Sequence, residues 1–250
     1  MNNRQKAIVA LCGAVMFGLS ALSGEKEKVL FVPAHPDDIL ASIGTCLLMR
    51  DKFEIHVCDF THGELGLGPA GLLDGTTKAR RTAEEEKVCA ELGATLHWLD
   101  EVDGSAYASS NACDRLAALI RELKPRAVFG HWPIDCHADH VMAGAALQKA
   151  AVLAGFRGEY YFFEEGLQSK GFPPTYYVDI TRVRDEKARI VRLYACQNPD
   201  DSLVKFEVEP VNTARAGQMR FRPWMGSAEV FAPYPGTAQG TRILFTELGK

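Results

Sequence analysis

The chain has 250 residues, 47% of them hydrophobic and 24% charged, with a formal net charge of −4. That composition belongs to a globular protein at the length of one domain, with ample chain to bury a large core. The mild acidity excludes an electrostatic footprint for nucleic acid.

The first 23 residues read differently from the rest. Arg4 and Lys6 precede an apolar run from Ala7 to about Leu22, and small residues follow near Ala21 and Ser23. This is the pattern of a secretory signal peptide, or of an N-terminal membrane anchor if it is retained. It predicts an exported protein whose contact with a membrane is confined to this segment. Residues 24–250 form the remaining domain. Cys46, Cys58, Cys89, Cys113, Cys136 and Cys196 lack any C-x-x-C pairing and are expected to be mostly free, buried thiols.

Val29–Pro33 is a short apolar run that opens into His-Pro-Asp-Asp, as a buried strand feeding a loop does. Ile43–Arg50 has helical character. Glu54–Phe60 is a second strand, followed by a glycine-rich loop from His62 to Gly75. Thr77–Leu92 has helical spacing and stops at Gly93. Thr95–Leu99 is a third strand and Asn111–Leu123 a helix that Pro125 ends. Arg126–Gly130 is a fourth strand, and Asp139–Ala154 an alanine-rich helix stopped by Gly155. Tyr160–Phe163 and Tyr176–Ile180 are strand-like, with an amphipathic helix at Arg184–Tyr194. From Asp200 onward Pro210, Pro223, Pro233 and Pro235 predict an irregular tail. Strands alternating with helices give a single α/β domain, Rossmann-like, with a mainly parallel sheet and helices on both faces. Ligands of such sheets bind beyond the carboxyl ends of the strands.

Two polar clusters each follow a predicted strand: Ala34-His35-Pro36-Asp37-Asp38, and Pro133-Ile134-Asp135-Cys136-His137-Ala138-Asp139-His140. A catalytic zinc takes three imidazole or carboxylate ligands and keeps one position open. One His and one Asp from the first loop with one His from the second supply that set, leaving carboxylates for general base work and for orienting histidines. Either cluster alone reads equally as loop capping; together, on one rim, they point to a metal centre. Elsewhere the plainer readings stand. His56 and His97 read as packed strand residues, and His131 as either a partner of the second cluster or a solvated loop residue. Arg81 and Glu84 have the spacing of a helix-surface ion pair, and Glu164-Glu165 reads as surface. No dinucleotide fingerprint or nucleophile elbow is present.

The two clusters, Ala-His-Pro-Asp-Asp and Pro-x-Asp-x-His-x-Asp-His, together resemble the signature motifs of the PIG-L/LmbE-like deacetylases. Thr61-His62-Gly63-Glu64-Leu65-Gly66, Arg81-x-x-Glu84 with Leu92-Gly93, Lys187 with Gln197, and Gly226-x-Ala228-Glu229-x-Phe231 extend the resemblance in the expected order. Ile39, Ala138, His62 and Cys196 depart from the family's pattern. The resemblance implies zinc held by His35, Asp38 and His140, a site that other divalent transition metals also suit. It makes Asp37 the general base, His137 the group facing the substrate carbonyl and Asp139 the residue orienting His137. Glu64, Arg81 and Asp103 become substrate contacts. Bound zinc brings the pKa of water toward about 7. The activity so implied is removal of the acetyl group from an N-acetylglucosamine-type sugar or glycoconjugate. Two other readings keep the same residues: a metal-dependent amidase for a bulkier sugar-linked amide, and an exported carbohydrate-binding protein with a vestigial metal site. Asp37, His137 and Asp139 speak against the last, because binding alone needs no base beside the ligands.

Overall fold

In a computed structural model, residues 24–66, 75–235 and 243–246 are described. The N-terminal signal or anchor segment, Gly68 and Gly71 lie outside the described residues. Among the described residues the sheet has seven strands in the order β3-β2-β1-β4-β5-β7-β6, with β1 Glu27–Val32, β2 Phe53–Thr61, β3 Ala94–Glu101, β4 Ala127–His131, β5 Glu159–Phe163, β6 Tyr176–Asp179 and β7 Ala228–Pro233. The first five are parallel; β7 runs antiparallel to both β5 and β6.

β1 lies inside the sheet beside the central β4, and its Val29–Val32 run is fully buried, as a parallel strand covered on both faces must be. Successive side chains alternate faces. Val29 and Phe31 pack with α1 (Ile43–Met49), α2 (Thr77–Leu92) and α5 (Arg184–Val191), whereas Leu30 and Val32 pack with α3 (Ser110–Leu123) and α4 (Ala138–Leu153). α2 ends where expected: Gly93 takes φ 66° and returns its N–H to the carbonyls of Cys89 and Ala90. All six described cysteines are free, and only Cys136 is exposed. No helix of the described residues is long and apolar enough to cross a membrane.

Two expectations are corrected. The tail is not irregular: Leu203–Val208 is a π-helical stretch leading into α6 (Glu209–Gln218), and β7 completes the sheet. Pro210 sits in the first turn of α6, where its missing N–H costs no helical bond. Glu164 and Glu165 are buried rather than on the surface, because Arg215 of α6 forks onto the Glu164 carboxylate and Ser169 Oγ accepts the Glu165 N–H.

β1 pairs with β2 on one side and β4 on the other, so the chain winds outward in both directions from the β1–β4 boundary. Ligand crevices form at such a switch point, beyond the carboxyl ends of the strands. Both polar clusters emerge there.

Candidate functional site

The loop leaving β1 is held from three directions. Thr61 at the end of β2 donates its N–H and its hydroxyl to the Ala34 carbonyl, at 2.9 and 3.0 Å. His131, the last residue of β4 and 0% exposed, accepts the Ala34 N–H on Nε2 at 2.9 Å. Asp38 folds its carboxylate back, Oδ2 accepting the N–H of His35 at 2.8 Å and of Ala34 at 3.2 Å. Asp37 takes φ 98°, in the left-handed region that most side chains avoid.

The second cluster is built around the start of α4. Asp135 accepts the His137 N–H at 2.9 Å and the Ser169 hydroxyl at 2.8 Å. His137 caps the helix, its Nδ1 accepting the Asp139 N–H at 3.3 Å. His140, one turn along, faces back across the switch point.

The two loops meet at Asp38. Its Oδ2 lies 3.2 Å from His35 Nδ1 and 3.4 Å from His140 Nε2, and also 3.4 Å from His131 Nε2. The His137 ring packs 4.7 Å from that of His35 and 4.6 Å from that of His140. Asp139 sends its carboxylate to His35 Nε2 at 3.3 Å and to the Gly104 N–H at 2.6 Å, so its link to His137 runs through the backbone. Asp103, on the loop after β3, places Oδ1 3.1 Å from His35 Nε2 and accepts the Leu65 N–H on Oδ2 at 2.8 Å.

The crowding of carboxylates and imidazoles shifts their proton affinities. For His35, burial pulls the pKa down, but the Asp38 charge and hydrogen bonds that the ring donates to the carboxylates of Asp103, Asp139 and Asp38 override it and push the pKa up to about 12. His140 likewise rises to about 9, against burial, through Asp38 and Asp135. Burial and the neighbouring His140 charge take His131 down to about 4. Burial raises Asp37 to about 6, opposed chiefly by Arg81. The pocket is thus acidic and draws positive charge inward.

A metal ion fits that demand. Donor atoms of His35, His137 and His140 lie within 4.8 Å of one another, as do those of Asp38, His131 and His140, and those of His35, Asp103 and Asp139. Mixed imidazole and carboxylate donors suit zinc and its first-row neighbours. Nδ1 of His131 is buried without a hydrogen bond to the described residues, whereas His140 Nδ1 lies 3.2 Å from Asp135 Oδ1.

The structure thus brings His35, Asp37, Asp38, His137, Asp139 and His140 together. It adds two residues that sequence reasoning left ambiguous or unassigned, His131 and Asp135. A histidine ending a central strand was the signal for the first; a second Asp within the motif was the signal for the other. Of the three expected substrate contacts, Glu64 alone keeps a carboxylate oxygen, Oε2, that is buried and unpartnered among the described residues. Asp103 is committed to His35 and Leu65. Arg81 is 5% exposed and engages Asp37 and the Pro36 and Gly63 carbonyls. The surface ion pair with Glu84 is not formed: Glu84 accepts the Cys196 N–H at 2.9 Å.

Residues 30–151 match the sequence profile of the GlcNAc-PI de-N-acetylase family, PIG-L. Diacetylchitobiose deacetylase of Thermococcus kodakarensis is 30% identical over 217 residues, covering 80% of this chain and 81% of that protein. Among solved structures, 4-carboxy-2-hydroxymuconate hydratase from Pseudomonas putida superposes with a TM-score of 0.75 at 23% identity, over 86% of this chain and 100% of that one. N,N'-diacetylchitobiose deacetylase from Pyrococcus horikoshii superposes with a TM-score of 0.71 at 24% identity, over 94% of each chain. At these identities the two structures speak for the fold.

Proposed function

The chain belongs to the PIG-L/LmbE-like deacetylase family, and from that premise we propose that it is a metal-dependent hydrolase that removes the acetyl group from an N-acetylglucosamine-type sugar or glycoconjugate. One observation carries the reading: the Asp38 carboxylate lies between the His35 and His140 rings, with Asp37 beside it on the same loop. His35, Asp38 and His140 would hold the ion, and zinc is the metal the donor set suits best. When bound, the ion supplies a Lewis acid for the amide carbonyl and lowers the pKa of water.

The remaining chemistry belongs to side chains. Asp37 takes the proton of the attacking water and returns it to the departing amine, as a carboxylate with its pKa raised toward the working range can do. His137 needs no protonation to assist. Its Nδ1 accepts the Asp139 N–H, so a neutral ring carries its proton on Nε2 and presents a donor to the oxyanion. Glu64 Oε2, unpartnered among the described residues, is an acceptor for a sugar hydroxyl.

The fold also serves a hydratase whose substrate, by name, bears a carboxylate. The described site favours the neutral amide. Asp37, Asp38, Asp103, Asp135 and Asp139 surround it, and its guanidinium, Arg81, is already engaged.

Purified protein assayed for bound metal and for acetate release from N-acetylglucosamine and its short oligomers tests the proposal. Chelator-sensitive release, lowered about 10²–10⁴-fold in Asp37→Ala with metal retained, is the expected result. Unchanged turnover in that variant would sink the mechanism. Bound metal without acetate release would transfer the site to a bulkier amide or to binding alone.

A further inference from the structure

Arg81 and the loop above it form a unit around Asp37. The side chain leaves α2 and is almost wholly buried. Its Nη2 donates to Asp37 Oδ1 at 2.5 Å and to the Pro36 carbonyl, and its Nη1 donates to the Gly63 carbonyl at 3.2 Å. A planar guanidinium with fixed donors orients a carboxylate as no ammonium can. Oδ1 is occupied in this way, and Oδ2 makes no hydrogen bond to the described residues.

The two glycines of the loop are explained by the same group. A Cβ on Gly63 would stand 2.4 Å from Arg81 Cζ. A Cβ on Gly66 would stand 2.4 Å from Arg81 Nη1 and 3.0 Å from Gln197 Nε2. Gln197 is delivered there by the turn that Glu84 fixes through the Cys196 N–H. Four separate sequence features, Arg81, Glu84, the glycine pair and Gln197, thus converge beneath one loop. They hold Asp37, the residue whose backbone sits at φ 98°.

We infer that Arg81 is the positioning residue for Asp37, and that Gly63 and Gly66 leave the space its guanidinium occupies. The inference rests on Asp37 being the base. Fixing one oxygen of the carboxylate aims the other at the reacting proton, and it holds a backbone conformation that the loop alone would relax. A misaimed catalytic group costs rate rather than affinity.

The test measures kcat, KM and bound metal on the full protein with a sugar the parent deacetylates. Arg81→Lys keeps the charge and loses the fork; kcat is expected to fall roughly 10–100-fold while KM and metal content hold. Gly66→Ala should reproduce that fall in the parent. Its backbone is outside the left-handed region, so the obstacle is contact with Arg81 and, less closely, with the flexible end of Gln197. In an Arg81→Ala background Gly66→Ala should cost little more, because the nearer clashing partner is gone. A raised KM with kcat preserved in Arg81→Lys would return Arg81 to the sugar, and additive losses in the double variant would separate the glycine from the arginine. Either result overturns the inference while Asp37→Ala remains inactive. An active Asp37→Ala fails the underlying reading instead.

Discussion

The Lys187–Glu229 pair and the His35–Asp38 cluster are both buried, and both join segments far apart in sequence. Around Glu229 the donors and acceptors match. Its carboxylate accepts the N–H groups of Gly44 and Thr45 at 2.7 Å each and Lys187 Nζ at 2.6 Å. Lys187 also donates to Asn212 Oδ1 at 2.9 Å, and Asn212 donates to the Ala228 carbonyl at 3.1 Å. Around Asp38 carboxylates accumulate, and among the described residues His131 Nδ1 and Glu64 Oε2 are left over. A carboxylate satisfied within the protein fastens α1, α5, α6 and β7 together. A network left incomplete, with excess acid, is completed by what binds. Both motifs were visible in the sequence; only their hydrogen bonding separates anchor from reaction centre.

The sharpest way to break that contrast is to remove Asp38. Asp38→Ala is expected to lose bound metal and to bring acetate release to background, read by elemental analysis and assay; full metal occupancy would mean that the ion is held by other residues. Next in size is Glu229→Ala, which strands a buried Lys187. It should lower stability by about 3–5 kcal/mol in denaturant titration, while the molecules that fold keep their metal. Metal loss in folded Glu229→Ala would show that the two networks are one.

A smaller effect sharpens the comparison by pH. Glu85 of α2 accepts the Tyr194 hydroxyl at 2.6 Å, and burial pushes its carboxyl up from 4.5 to about 7. In the unfolded chain the group ionises near 4.5, whereas the fold resists ionisation until about 7. Its contribution to stability is therefore full below pH 4.5 and declines as pH rises through that window. Glu85→Gln has no such proton to lose, so its thermal midpoint relative to the parent should be higher at pH 8 than at pH 5. An equal difference at both pH values would show that Glu85 titrates as an exposed carboxylate does.

What could be read from sequence was what local pattern encodes. The five parallel strands announced themselves as short apolar runs between helical segments, and the two metal-type clusters as loops that follow strands. Pairings across long separations were not legible. Nothing near Glu164 foretells Arg215, and nothing near Arg81 foretells Asp37, although Glu84 at i+3 suggests a different partner. Prolines in the tail argued against order, yet Pro210 falls in the first helical turn where it is tolerated. Asp59 was hidden in a strand pattern, yet it is fully buried with neither oxygen bonded to a described residue. Burial and then the Glu85 charge hold its pKa well above the carboxylate range.

The placement of β7 also governs how the molecule can be made. The strand enters between β5 and β6, pairing antiparallel with each, although about fifty residues follow β6 before it begins. During synthesis, β5 therefore waits with one edge open until nearly the whole chain has emerged, and β6 has no ladder to join. That open edge presents Tyr161–Phe163, aromatic and buried in the finished sheet, to any other extended segment in reach. Shortening the chain before Ala228 would turn this passing stage into a permanent adhesive edge, so the last strand acts as the seal of the sheet as well as a part of it.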